Sequence, residues 1–422
     1  MPLPQIVTCC LLIGAHVAPR AAMLPVRSVA VHRGRALASA NERPSVDDEP
    51  SRRAETMFSA DFARVGVLLT VPIAWGTYAP AVKIAYAAAS EPAVPGLLLS
   101  AGQYLVAVLT LSAASALVGR PQPVVPVKSE HERDARVPLD RGTWLAGLEL
   151  GSYLFVANLL QISGLVRLPT DRAAFLVQTT TLLVPLIDAA QRGGLNRLPA
   201  RTWAACLLAF SGVVTMSGVS ISGILAQLSG GAGVLPPTGD VLILGSALFY
   251  SMHVIRLSAL APGLDALQLA PRKAACELLL AAATLFTLTV LLPGLPLTLE
   301  IRAFAAEVLQ LDGRALALLA GAAVWMGAVT TGYTMWAQSY GQGGKVSAPA
   351  ASLIYTSQPL WSAAFAYALL GETLLPSEAA GGALVIGGVL LGATAPDPWA
   401  EAAATTGASA KRSGEDGDTP FP

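Results

Sequence analysis

Charge is what this chain has least of. Asp, Glu, Lys and Arg make up 13% of its 422 residues, roughly half the share of an ordinary soluble domain, and the two signs cancel to a formal net charge of zero. That balance gives no broad basic face for nucleic acid, and no finger, P-loop or dinucleotide fingerprint occurs. Cysteine and histidine are scarce too, at four each. Cys9 and Cys10 lie near the amino terminus, while Cys206 and Cys276 stand far apart in apolar runs, where a small core residue is the ordinary reading rather than a disulfide or metal pair. Of the histidines, His16, His32 and His131 fall outside the apolar runs and only His253 falls inside one. With no metal-ligand spacing and no nucleophile elbow, neither catalysis nor a cofactor is expected. What is abundant is apolar surface: 54% hydrophobic residues and a mean hydropathy of +0.57 mark an integral membrane protein.

The first 64 residues read differently from the rest. Ile6 to Val17 is an apolar run of twelve, too short to span a bilayer and the size of a signal-peptide core. Arg20, Arg27, Arg33 and Arg35 follow, with no acidic residue before Glu42, which is transit-peptide composition. The two together resemble a bipartite plastid-targeting presequence, which implies a plastid envelope or a related membrane. Another endomembrane or the plasma membrane is the alternative, and a start at Met57 would make the segment a mere tail. Residues 396–422, rich in Ala, Thr, Ser, Gly, Asp and Pro, read as a disordered tail.

Between these segments lie ten apolar runs of spanning or near-spanning length. They cover roughly Gly66 to Ala87, Pro95 to Val118, Thr143 to Gly164, Ala173 to Ala190 and Thr202 to Ile221, then Asp240 to Leu260, Ala274 to Leu292, Arg314 to Trp336, Ser347 to Leu370 and Ala379 to Ala395. Twelve Lys and Arg residues, from Arg120 to Lys345, fall in the loops on the amino-terminal side, against five on the other: Lys83, Arg167, Arg172, Arg302 and Arg314. Cationic segments resist translocation, so both termini are placed on the side of synthesis, called inner below.

A shift of 177 residues lays the segment from Leu159 to Ala200 on that from Trp336 to Ser377 without a gap. Gln161 falls on Gln338, Gly164 on Gly341, Ala173 and Ala174 on Ala350 and Ala351, and Thr179 on Thr356. Gly194 falls on Gly371, and Leu198 and Pro199 on Leu375 and Pro376. Self-similarity at a fixed offset reads as duplication. Five runs per copy is an odd number, so the second copy enters the membrane in the opposite sense. The expected fold is an all-α bundle of ten transmembrane helices in two inverted five-helix repeats, residues 65–221 and 240–395. Inverted repeats are the geometry of secondary transporters, which hold substrate near the midplane where the halves meet.

Specific residues add a resemblance. Trp75, Gly76 and Lys83 in the first run, A-x-x-x-Y-T-S-Q-P-L from Ala351, L-L-G-E-T-L from Leu369 and A-G-G-A-L-V-I-G-G-V-L-L from Ala380 resemble the EamA family of the drug/metabolite transporter superfamily, over about Gly66 to Ala395. Leu195 aligns with Glu372, so the acidic closure is present in one half only. The resemblance implies a carrier of small polar metabolites of the amino-acid or organic-acid type. A phosphorylated-metabolite antiporter of the same superfamily is the alternative, as is a structural or receptor-like membrane protein that moves nothing. Phosphate-exchanging relatives use adjacent basic residues in the cavity; here only Arg272 and Lys273 are adjacent, at the expected membrane boundary.

Polar residues inside the runs nominate a site. Helical periodicity puts Tyr355, Gln358 and Ser362 on one face, and such a stripe is costly in hydrocarbon. Pro359 removes a backbone donor and is expected to kink this helix. The substrate-binding candidates are Trp75, Thr77, Tyr78, Tyr153, Asn158, Gln161 and Gln178 in the first half, then Tyr250, Tyr333, Trp336, Tyr355, Gln358 and Trp361 in the second, with Gln103, Tyr104 and Gln338 at similar depth. Helix-to-helix glue is the bland reading of the same groups. Glu149, Glu277 and His253 are the candidates for coupling to a proton, since a carboxyl at such depth is costly and usually functional. Lys273, one turn before Glu277, would make that carboxylate half of a structural ion pair instead, whereas Glu149 has only Tyr153 one turn away. Lys83, Arg256 and Lys345 are expected to snorkel to headgroups. The expected partners are a small-molecule substrate, the lipid bilayer and a proton as coupling ion; the oligomeric state is left open.

Overall fold

The computed structural model describes residues 49–88, 95–118, 139–217 except 166, 169, 192, 193, 196 and 197, and 238–393 except 345, 372 and 374. Most of the presequence, the tail, Lys345 and Glu372 therefore lie outside the described residues. Those residues contain helices and no strand, as the long apolar runs require, since backbone groups in lipid must be satisfied within their own segment.

The first half comprises α1 (Glu49–Gly76), α2 (Tyr78–Ala88), α3 (Gly96–Val118), α4 (Leu139–Leu165), α5 (Thr170–Val177), α6 (Thr180–Gln191) and α7 (Ala200–Ser217). The second comprises α8 (Thr238–Leu260), α9 (Ala266–Phe286, continued by a π-helical turn to Leu291), α10 (Pro296–Val308), α11 (Gly313–Trp325), a π-helical stretch Met326–Tyr333, α12 (Thr334–Gln342), α13 (Ala348–Tyr355), α14 (Gln358–Leu370) and α15 (Pro376–Ala393). Helix α1 starts inside the segment expected to be presequence, and α10 was not foreseen.

Among the described residues eight helical segments are long and apolar enough to cross a membrane, against the ten runs read from sequence. They are Phe62–Lys83, Gly96–Val118, Arg141–Leu165, Arg172–Gln191, Ala200–Ser217, Thr238–Leu260, Ala266–Leu291 and Gly313–Gln342. The ninth run splits into α13 and α14 around a polar centre, and the tenth, α15, is apolar but shorter.

Two helices are interrupted at matching places. The chain leaves the helix at Gln178–Thr179 between α5 and α6, and at Thr356–Ser357 between α13 and α14. At each break two hydroxyls bond back to carbonyls of the preceding turn, adding to its backbone hydrogen bonds. Thr179 donates to Leu176 O and Thr180 to Val177 O, each at 2.7 Å; Thr356 donates to Ser352 O and Ser357 to Ile354 O, each at 2.8 Å. The offset of 177 takes Thr179 to Thr356 and Thr180 to Ser357. Helix α14 restarts at Gln358 with Pro359 in its first turn, where a missing N–H is harmless, so the interruption precedes the proline rather than following from a kink within the helix.

The packing repeats as well. Helix α4 lies on α8 and α9; its counterpart, running from α11 to α12, lies on α1, α2 and α3. Helix α6 packs on α8, as α14 packs on α1. Two pairs, α3 with α9 and α7 with α15, are their own counterparts, whereas α6 packs on α13 without an equivalent packing of α14 on α5. Close approach is enabled at equivalent glycines. A Cβ on Gly164 would meet Ile243 Cδ1 of α8 at 2.6 Å, and one on Gly341 would collide with the Leu68 side chain of α1.

Candidate functional site

The interruptions bring the two halves into contact. Thr181, just past the first break, shares a 2.6 Å hydrogen bond with Thr356 in the second. Beside it, the last turn of α13 aims Tyr355 into a cluster with Trp75, Tyr333 and Trp336. Trp75 meets the Tyr355 ring edge-on at 5.3 Å between centroids, and Tyr333 tilts against Trp336 at 5.8 Å while sharing a hydrogen bond with Thr70. Four predicted residues thus come together. The Tyr355 hydroxyl is buried without a hydrogen-bond partner, and Gln338 is its polar neighbour.

A second polar group lines α3, α4, α8 and α9. Tyr250 donates to Gln161 Oε1 at 2.8 Å, and Asn158 donates to Tyr104 Oη and Ser100 Oγ at 2.5 and 3.0 Å. Glu277, buried, stands within electrostatic reach of Tyr104 and Tyr250, and Tyr78 stands within reach of the same two tyrosines. Lys273 joins this group to α12 by donating to Ser339 Oγ at 3.4 Å, and His253, also buried, faces Lys273. Lys273 is the largest fully buried side chain among the described residues.

Other predicted residues sit apart. Tyr153 packs against Phe249 at 6.3 Å. Thr77 accepts from Trp325 Nε1 at 2.9 Å. Trp361 backs onto Gly76, where a Cβ would lie 2.6 Å from the Trp361 Cβ. Gln178 and Gln358 flank the two interruptions, half-buried. Glu149 is held by Arg256 through both guanidinium Nε and Nη2; neither a lone carboxyl nor a snorkelling arginine is found there. Sequence reasoning missed Ser339 and Gln342, which share a face of α12 with Gln338. Their spacing is the signal, but they lie beyond Trp336, where the eighth apolar run ends.

No family model matches the chain, and no curated protein does. Among solved structures 25 chains match; one crystal structure aligns with a TM-score of 0.55 at 20% identity, over 79% of this chain and 96% of its own. That likeness establishes a shared fold.

Proposed function

We propose that this chain is a secondary transporter of the EamA type, ten spans in two inverted five-helix halves, moving a small polar metabolite of the amino-acid or organic-acid class by alternating access. One observation carries the reading: the main helix pairings recur when the halves are exchanged, with α3 on α9 and α7 on α15 mapping onto themselves, and paired hydroxyls stand at the interruptions, Thr179–Thr180 and Thr356–Ser357. Two halves with matched contacts have two conformations related by exchange, one open to each side. Interrupted helices facing each other across the Thr181–Thr356 contact are where such carriers hold their substrate.

The conformation at hand is closed on the inner side. Four contacts there join opposite halves: Glu149 with Arg256, Arg272 over the Trp144 ring at 5.2 Å, Gln268 with Ser115 at 2.9 Å, and Arg64 with Tyr340 O at 2.6 Å. Lys273 and Gln342 behind them are fully buried, whereas Tyr78 towards the outer side is 39% exposed. A plastid envelope location remains the reading of the first 64 residues, and a fluorescent fusion to them tests it. For transport, purified protein in liposomes is offered labelled amino acids, organic acids and phosphate esters. Counterflow of one class is expected; no uptake and no counterflow for any solute would favour a membrane protein that carries nothing.

A further inference from the structure

The two interrupted spans meet where they break. Span four runs from α5 into α6, and span nine runs the opposite way from α13 into α14. With both termini inner, α6 and α13 are the inner arms of this crossing and α5 and α14 the outer ones. The inner arms touch: α6 packs on α13, and α13 packs also on α8. Exchange of the halves takes α6 to α14, α13 to α5 and α8 to α1, yet no comparable packing joins α5 to α14 or to α1 among the described residues. Burial follows the same division. Thr181 and Thr356, bonded across the inner arms, are each 1% exposed. The offset of 177 sets Gln358 in the place of Thr181 and Thr179 in the place of Thr356, and both are half-buried.

The chemistry of the bonded pair survives the exchange. Thr356 places its hydroxyl hydrogen on Ser352 O at 2.8 Å, which leaves its oxygen to accept, so Thr181 donates in the 2.6 Å bond between them. Thr179 is the same residue in the same condition, its hydrogen on Leu176 O at 2.7 Å. Gln358, the counterpart of the donor, carries two amide donors on a longer side chain. Thr179 stands two residues outward of Thr181 on span four, and Gln358 two residues outward of Thr356 on span nine.

We infer that Thr179 and Gln358 form the outer closure of this protein: when α5 and α14 come together, the Gln358 amide donates to Thr179 Oγ1 and the Thr181–Thr356 bond opens. This rests on the transporter reading and adds to it a contact absent from the conformation at hand. Straight arms that meet on one side of a crossing diverge on the other, so the two contacts exclude each other. The interruptions keep the exchange local. The chain leaves the helix at Gln178–Thr179 and at Thr356–Ser357, so an arm tilts there without stretching the i→i−4 hydrogen bonds of a continuous helix.

The test is cross-linking of the full chain in liposomes, with the four native cysteines replaced by serine. Two pairs are compared under mild oxidation, Thr181→Cys with Thr356→Cys and Thr179→Cys with Gln358→Cys, since a disulfide reports Cα atoms within about 7 Å. The first pair should join at rest and the second should not. A mixture of the standard amino acids, mono- and dicarboxylates and sugar phosphates is then supplied on both sides. A minor state is populated at about 0.1–10%, so visiting it in every cycle should speed joining of the second pair on the order of tenfold and slow that of the first. In the otherwise native chain, Thr179→Val should slow counterflow about 2–10-fold, the factor for one hydrogen bond, with binding from the outer side no weaker, and Thr179→Ser should keep the native rate. This comparison decides where a cysteine variant fails to fold. The inference is overturned if the second pair joins at rest as fast as the first, if counterflow proceeds while that pair stays apart, or if Thr179→Val turns over as fast as the native chain. Each of those results leaves the transporter reading standing; no counterflow of any solute class overturns both.

Discussion

Removing the Glu149 carboxylate strands a guanidinium between α4 and α8. Arg256 donates through Nε and through Nη2, the latter at 3.1 Å, and the two side chains are 34% and 26% exposed. A fully exposed pair contributes less than about 1 kcal/mol, while stranding one partner of a fully buried pair costs about 3–5 kcal/mol. Exposure of a quarter to a third places this pair towards the lower figure, at about 1–2 kcal/mol, with bidentate geometry in its favour. For a bundle of this size that amounts to a fall of about 2–6 °C in the melting midpoint. Glu149→Gln and Arg256→Gln are each expected to show it in detergent, the double variant to melt no lower than the worse single one, and the exchanged pair Glu149→Arg with Arg256→Glu to recover most of the loss. Single effects that simply add in the double variant, leaving a coupling below about 0.3 kcal/mol, would refute the claim that this contact ties the halves together on the inner side.

Three further outcomes are expected. A Cβ on Gly388 would lie 2.7 Å from Ala209 N and 2.8 Å from Ala205 O, so Gly388→Ala should force α7 and α15 apart and cost about 1–3 kcal/mol. Gly102→Ala, with nothing within 4 Å, should raise the melting midpoint, since alanine favours a helix by about 1 kcal/mol. Because the Tyr355 hydroxyl is buried without a partner, Tyr355→Phe should hold or raise the melting midpoint while reducing uptake, and Gln358→Ala should reduce uptake with melting unchanged; unchanged transport would remove both from the site.

The helices were legible because hydrophobic runs of this length have few alternatives in a bilayer. The internal offset was legible because a shift of 177 residues lays Gln161, Gly164 and Thr179 on identical residues. Where the helices break was not. Pro359 marks its own position, whereas the interruption falls on Thr356 and Ser357, whose hydroxyls bond back to Ser352 O and Ile354 O alongside the backbone. Pro185 shows the converse, lying inside α6 without ending it. Burial at the site was harder still. Lys273 stands at the edge of its apolar run, and its burial comes from α8 and α12 across the bundle rather than from its own neighbours in sequence. The pairing of Glu149 with Arg256 is equally non-local, joining residues on different halves, which periodicity along one helix cannot reveal.

The most direct test of alternating access is thiol labelling from the two sides. With the four native cysteines replaced by serine, a single cysteine is introduced by Tyr78→Cys or by Ser339→Cys, and each variant is exposed to a membrane-impermeant maleimide with and without the transported solute. Tyr78→Cys should label and Ser339→Cys should be protected at rest, and the solute should lower the first rate while raising the second. Ser339→Cys that stays protected whatever the solute, or two rates that rise together, would contradict a pocket opened to one side at a time.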